Sequence, residues 1–310
     1  MDTTAVVFAA PGRLGLEVLP LIPPEGATAL VDVCFSGIST GTERLLWTGD
    51  MPAFPGMGYP LVPGYETVGR IGKAPRNSGL REGDLVFVPG ASCYGPVRGL
   101  FGGAASRIAS MPSRLVKIDE AMIESGTMLA LAATAHHAVK LSRLPDLIVG
   151  HGALGRLAAR IVVACGGSPT VWETDEQRAG GARNYRVVQP NLDERRDYSC
   201  ILDASGDTQI IDRSMKHLAR HGEIVLAGFY SEPLHFVFPP AFMREATLRV
   251  AAQWEAADLT AVLGLVTSGK LSLDGLVTHR SPAADASAAY ETAFTHPGCL
   301  KMVLDWRTYQ

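Results

Sequence analysis

Apolar positions in the first 110 residues fall into short runs, some continuous and some alternating, set between Gly, Pro and Asp. "AVVFAA", "ALVDVCFSG", "ETVGRIGKA", "DLVFVPG" and "ASRIAS" are of this kind, and the pattern predicts short strands, tight turns and a small barrel. From Glu120 the texture changes. "EAMIESGTMLALAATAHHAVKLSRL" has no proline and carries apolar residues at helical spacing, with a break expected near Gly126. After Pro145 strand and helix alternate: "DLIVG", a helix over "LGRLAARIVVACG", "PTVWE", a helix around "TDEQRAGGAR", "RVVQ", "YSCILDAS", a helix over "TQIIDRSMKHLARHG", "EIVLAG" and "LRVAAQ". Such alternation predicts an α/β, doubly wound parallel sheet with right-handed crossovers. The tail "LSLDGLVTHRSPAADASAAYETAFTHPGCLKMVLDW" holds two short strands and a helix, too little for a third core. It is expected to return to the first domain, which gives one domain over 1–120 with 270–310 and another over 121–269.

Between the first strand and helix of the second domain, "LIVGHGALGRLAARIV" carries Gly150, Gly152 and Gly155 in the spacing GxGxxG. The first glycine permits a tight turn, the second a close approach of backbone to a pyrophosphate, and the third close helix–strand packing. The free amides of Ala153, Leu154 and Gly155 at the helix start then face the phosphates. Glu173, 18 residues past Gly155 at the end of the next strand, stands near the spacing of a carboxylate that binds a ribose 2′-hydroxyl. Glu173, Asp175 and Glu176 together would repel a 2′-phosphate, so the expected cofactor is NAD. Arg178, the nearest residue that argues for NADP, is read as a solvated helix residue.

Composition adds exclusions. A net charge of −3 and 19% charged residues give no electrostatic case for nucleic acid or an anionic membrane. The N-terminal stretch has no basic leader, and Pro and Gly break its apolar runs, as expected of a mature cytoplasmic N-terminus rather than an integral membrane protein. The five cysteines are scattered, the closest two (Cys165 and Cys200) being 35 positions apart. That is neither a disulfide framework nor a CxxC metal site, and it suits a reducing compartment.

"VDVCFSGIS", "PLVPGYETVGRIG", "LREGDLVFVPG", "AATAHHAV", "VGHGALG", "ILDASG", "HGEIVLAG" and "KMVLDW" together resemble the medium-chain dehydrogenase/reductase superfamily along nearly the whole chain. The resemblance implies a Rossmann domain plus a GroES-like β-barrel catalytic domain. "GISTGTERLLWTGDMP", "PLVPGYETVG" and "SRLVKID" are similar to a branch acting on tetrapyrroles. This implies NAD-dependent oxidation of the 3-(1-hydroxyethyl) group of a bacteriochlorophyllide to 3-acetyl. The alternative within the superfamily is a zinc-free quinone or enoyl reductase using NADPH. Relatives often form homodimers through the edge strand of the Rossmann sheet, which "LRVAAQW" would supply.

The departures from the superfamily concern metal. Zinc-dependent members carry a cysteine where this chain has Ser39 or Thr40, and a histidine where it has Tyr65; Glu66 is retained, and a third ligand would fall near Ala130. The structural-zinc lobe of four cysteines is missing after Cys93. No zinc is expected, since a catalytic site needs about three protein ligands.

Oxidising a secondary alcohol still requires an acceptor for the hydroxyl proton. Tyr65 is the first candidate, as a phenol able to donate and accept, with filling of the vacated metal space as its other reading. Ser39, Thr40 and Thr42 are the other relay candidates. Glu66 is either part of this set or a buried carboxylate paired with an arginine. His136 and His137 invite a general-base reading but are more simply packed histidines, and His279 is read as packing. Thr134 resembles a position that contacts nicotinamide. A flat substrate needs an apolar slot, for which Trp47, Met51, Phe54, Met57 and Tyr59 are candidates in a Gly- and Pro-rich loop, with Arg44 and Arg98 for a propionate.

Overall fold

The chain divides into two units, Met1–Ala130 with Leu276–Gln310, and Leu131–Gly275. The computed structural model describes residues 1–309 except Ala27 and Ser231.

The first unit is built from strands β1 (Asp2–Ala10), β2 (Arg13–Pro20), β3 (Ala29–Ile38), β4 (Leu61–Val62), β5 (Thr67–Lys73), β6 (Leu85–Val88), β7 (Arg98–Gly99), β8 (Arg107–Ser110) and β9 (Val116–Lys117), with helix α1 (Thr42–Thr48) after β3. β1 and β2 form a hairpin that continues through β4 to β7. β3, buried at eight of ten positions, pairs antiparallel with both β5 and β8. The core, with Val6, Phe8, Val31, Ile38, Leu61, Val86 and Trp306 among its members, fills the space these strands enclose.

Two features differ from the sequence expectation. "RLGLEVLP" is a strand although most of its positions are exposed or half-buried, so no clean apolar run marks it. The helix Thr42–Thr48 takes in the first residues, from Leu45 to Thr48, of a stretch expected to be an apolar loop. Its end is set by Gly49 at φ 85°, where the left-handed turn suits glycine.

The second unit contains α2 (Leu129–Lys140, whose first two residues belong to unit one), β10 (Leu147–Val149), α3 (Ala153–Ala164), β11 (Thr170–Trp172), α4 (Glu176–Ala179), β12 (Arg186–Val188), β13 (Tyr198–Asp203), α5 (Ile210–Met215), β14 (Leu218–Leu226), α6 (Phe238–Arg244), β15 (Thr247–Val250) and α7 (Ala256–Thr267). All six strands are parallel, in the order β12-β11-β10-β13-β14-β15. This order reverses between β10 and β13, and a ligand crevice is expected outside the carboxyl ends of those strands. β10 is buried at every position, as a central parallel strand covered on both faces should be. The helix expected over "TQIIDRSMKHLARHG" stops at Met215, because Leu218 already begins β14 with its inward apolar positions. The helix around "TDEQRAGGAR" is one short turn that ends before Gly180.

The tail returns to the first unit as β16 (His279–Pro282), α8 (Ala286–Thr295) and β17 (Met302–Asp305). β17 pairs antiparallel with β3 and parallel with β16. No helix among the described residues is long and apolar enough to cross a membrane. All five cysteines are free.

Candidate active site

The glycine loop joins β10 to α3. Gly150 has φ 94°, and a Cβ on Gly155 would stand 1.9 Å from the Gly150 carbonyl oxygen, so neither position accepts a side chain without a shift. A Cβ on Gly152 would meet nothing within 4 Å, which leaves the backbone there open to a ligand. Gly152 caps α3, and the amides that follow it have no helical acceptor. These features fit a dinucleotide pyrophosphate.

Glu173 lies at the end of β11 and is buried. It accepts the amides of His151 at 3.0 Å, Thr174 at 2.8 Å and Asp175 at 2.9 Å. It therefore braces the glycine loop, and three amides leave one acceptor site, on Oε2, for a ribose hydroxyl. Arg178 lies in α4 with its Nε 3.3 Å from Asp175 and 3.8 Å from Glu173. His151, between the first two glycines, has Nδ1 2.7 Å from the Arg178 carbonyl and Nε2 2.8 Å from the Tyr185 hydroxyl. Burial pushes its pKa down to about 4, so the ring is neutral: Nδ1–H donates to the carbonyl and Nε2 accepts from the phenol. Sequence spacing did not disclose this lock. Thr134 lies half-buried in α2 of the same unit.

In the first unit, β3, α1 and the turn before β5 bring three predicted hydroxyls together. Ser39 Oγ and Tyr65 OH are 2.5 Å apart, and Tyr65 OH donates to Thr42 Oγ1 at 3.4 Å. Thr40, half-buried beside them, takes no part in these bonds, so Ser39 is the partner of Tyr65. Burial, reinforced by the Glu66 charge, holds the Tyr65 pKa well above that of a free phenol, and the group stays protonated. Ala130, near the expected third ligand, is fully buried and offers no donor. Two mutually bonded hydroxyls and a methyl group are not a donor set for catalytic zinc, which takes Cys, His, Asp or Glu.

Glu66 does not join the hydroxyls. Its Oε2 lies 2.5 Å from Lys301 Nζ, which also donates to the Ile38 carbonyl at 3.1 Å; both side chains are buried. The expected arginine is thus a lysine, supplied from just before β17. Beside this pair lies Glu43, which no sequence motif singles out. It accepts the Ser39 amide at 3.2 Å and the Tyr290 hydroxyl at 2.7 Å. Burial, with the Glu66 charge adding to it, raises the Glu43 pKa to about 8 against the hydrogen bonds from Tyr290 and Ser39. A carboxyl with a raised native pKa stabilises the fold fully below its unfolded pKa of 4.5, and that contribution is lost as pH rises through 8. Conformational stability should therefore fall across this window, by up to about 1.4 kcal/mol per pH unit from this group. Glu43→Gln should flatten the slope in urea titrations run from pH 5 to 8; an unchanged slope would assign it to other groups.

His136 and His137 are not free bases. Their Nδ1 atoms lie 2.8 and 2.9 Å from the two oxygens of buried Asp258, which also takes Lys140 Nζ at 2.8 Å. Among the described residues, His137, Glu255 and Asp258 are the group with metal-compatible spacing, but the Lys140 ammonium already supplies the cation there. His279 is half-buried, its Nδ1 2.9 Å from the Thr278 hydroxyl.

The apolar candidates separate. Trp47 lies on α1 rather than in a loop, and with Met57 and Tyr59 it packs against the core; Met51 is buried. The Tyr59 hydroxyl donates to the Leu46 carbonyl. Phe54 remains exposed, as do Arg44 and Arg98, neither of which pairs with a carboxylate among the described residues. Phe101, absent from the sequence expectation, stands edge-to-face against Tyr65 with ring centroids 5.4 Å apart.

The chain is 54% identical over 315 aligned residues to the 2-desacetyl-2-hydroxyethyl bacteriochlorophyllide A dehydrogenase of Cereibacter sphaeroides, with 99% of each chain covered. It is 53% identical to the protein of that name from Rhodobacter capsulatus, again over 99% of each chain. Among solved structures, acetophenone reductase from Geotrichum candidum in complex with NAD matches with a TM-score of 0.84 at 20% identity, covering 98% of this chain and 97% of that one. Other structures of this fold carry NADH or NADP. No protein-family profile matches the chain.

Fold and glycine loop define a medium-chain dehydrogenase/reductase, with a GroES-like unit and a Rossmann unit of the NAD(P)-binding kind. The chain belongs to the bacteriochlorophyllide a dehydrogenase family of that superfamily, whose members are oxidoreductases acting on CH–OH groups.

Proposed function

We propose that the protein oxidises the 3-(1-hydroxyethyl) group of a bacteriochlorophyllide to 3-acetyl, with NAD as hydride acceptor and without a catalytic zinc. The observation that carries the reading is the Ser39–Tyr65–Thr42 hydroxyl chain, two of whose members, Ser39 and Tyr65, stand where the resemblance puts zinc ligands. The names of relatives sharing more than half of its residues support the substrate.

Bound NAD supplies the hydride acceptor, and Gly150, Gly152, Ala153, Leu154, Gly155, Glu173 and Thr134 are the residues that would hold it. The acids at 173 and 175, with Glu176 beside them, favour NAD over NADP by repulsion of a 2′-phosphate. As a neutral phenol, Tyr65 cannot act as a preformed base. Its oxygen accepts the alcohol proton only as its own proton passes to Ser39 or Thr42 and that hydroxyl releases its proton onward to solvent water, so the trio is a relay and not a store. Charge developing at a carbon attached to the macrocycle spreads into its π system, which lowers the demand for a Lewis acid. Glu43 fixes the Ser39 backbone and so the geometry of the first link.

Chelator-treated protein is expected to shift the long-wavelength absorption band of 3-(1-hydroxyethyl) bacteriochlorophyllide to the red with NAD, with NADP much less effective and added zinc without benefit. Loss of the shift on chelation, restored by zinc, would refute the metal-free relay.

An odd number of scattered cysteines supports the reading of a cytoplasmic enzyme. The partner at the edge of the Rossmann sheet is a second copy of the chain: β15 is exposed along its length, and Phe238, Phe242 and Met243 of neighbouring α6 are exposed too. Light scattering should give twice the mass of the chain, and Phe242→Asp should reduce it to one.

A further inference from the structure

Phe101 is an aromatic side chain at the relay that the chemistry above does not use, and its backbone is unusually well fixed. The amides of Leu100 and Gly102 both donate to the Val62 carbonyl at 2.9 Å, and the Phe101 carbonyl accepts the Ala91 amide at 2.8 Å. Gly102 has φ 77°, and a Cβ there would stand 1.8 Å from the Ala91 oxygen. The next amide, of Gly103, is bound to the carbonyls of Pro63 and Gly64. Phe101 is therefore tied to the same short stretch, Val62–Gly64, that leads into Tyr65. Its ring meets the Tyr65 ring at 87°, the edge-to-face arrangement that aromatic pairs favour.

Burial separates Phe101 from the packing aromatics of the same unit. Phe8, Phe87, Tyr94 and Tyr290 are all within 1% of complete burial, whereas Phe101 keeps 37% of its surface exposed. A frame this constrained, holding a large apolar ring half in water beside the reactive hydroxyl, is organised for something that covers the ring.

We propose that Phe101 is a specificity-determining residue: the exposed part of its ring receives the planar conjugated macrocycle of the substrate and sets it so that the side-chain hydroxyl meets Tyr65. The assignment rests on the bacteriochlorophyllide reading above and adds what selects that substrate. A flat π system gains dispersion and quadrupole contact with an aromatic ring, which an aliphatic side chain of similar volume does not return. A small aliphatic alcohol has no such face to offer.

The test compares wild-type protein with Phe101→Leu and Phe101→Tyr, titrating 3-(1-hydroxyethyl) bacteriochlorophyllide by its absorption band and NADH by its fluorescence. Phe101→Leu should bind the macrocycle about tenfold more weakly, equivalent to about 1.4 kcal/mol, with kcat/KM lowered at least as much and NADH affinity unaltered. Phe101→Tyr should stay within about twofold of wild type, since the ring is kept. A Leu variant that binds the macrocycle as wild type does, or a Tyr variant as impaired as Leu, would overturn the role of the ring while leaving the function intact. Wild-type protein that fails to bind the macrocycle would instead overturn the bacteriochlorophyllide reading, and Phe101's role with it.

Discussion

Tyr65→Phe is expected to lower kcat for the hydroxyethyl substrate by roughly 100- to 10,000-fold, the range that a positioned proton-transfer group contributes. Affinity for NADH should not change, because the glycine loop and Glu173 lie on a different unit of the chain. The phenylalanine keeps the ring contact with Phe101 and removes the oxygen that both Ser39 and Thr42 address. Ser39→Ala and Thr42→Ala should each cost less than Tyr65→Phe, since the hydroxyl that remains can still relay the phenol's proton toward solvent. Stopped-flow single turnovers, which isolate the chemical step from product release, are the measurement to make. A Tyr65→Phe enzyme that turns over at the wild-type rate would reduce the tyrosine to a filler of space.

The largest stability effect should come from Lys301→Met. Glu66 is wholly buried, and the lysine ammonium 2.5 Å away is its counter-charge. Removing one member of a buried pair leaves an uncompensated charge and costs about 3 to 5 kcal/mol. Glu66 Oε1 already has no hydrogen-bond partner among the described residues, so the carboxylate has little else to fall back on. The double variant Glu66→Gln with Lys301→Met should recover a substantial part of the loss, because no unpaired charge then remains buried. Urea unfolding of the two single variants and the double completes a cycle. A single variant within about 1 kcal/mol of wild type would contradict the account.

What the sequence disclosed divides along a physical line. The glycine loop was legible because its chemistry is local: turn, helix start and acid lie within 24 residues of one another. The hydroxyl chain of Ser39, Tyr65 and Thr42 was legible as a set because two short motifs bring it together, although the choice of Ser39 over Thr40 needed the 2.5 Å contact. The partners of the buried acids were not legible. Glu43 and Tyr290 are 247 positions apart and Glu66 and Lys301 are 235 apart, and no local pattern announces such pairings. His136 and His137 are held in place, in keeping with the packed reading, but their shared partner Asp258 lies more than 120 residues away and was not legible either. The overlong helix before β14 arose because "MKHLARHG" reads well as a helix on its own, whereas the position of Leu218 in the sheet makes it a strand. Phe101 went unnoticed because a lone aromatic between glycines carries no periodic signal.

The place of β17 between β16 and β3 bears on how the protein is made. Residues 35–38 of β3 acquire their neighbours on that side only when residues 302–305 have left the ribosome, and Glu66 acquires its counter-charge only with residue 301. The Rossmann unit, whose strands lie within residues 147–250, is complete before then. Synthesis thus inverts the usual order in which N-terminal domains close first. Until the tail arrives, the nascent first unit carries an open strand edge, the kind of surface that recruits unwanted pairing and that chaperones cover.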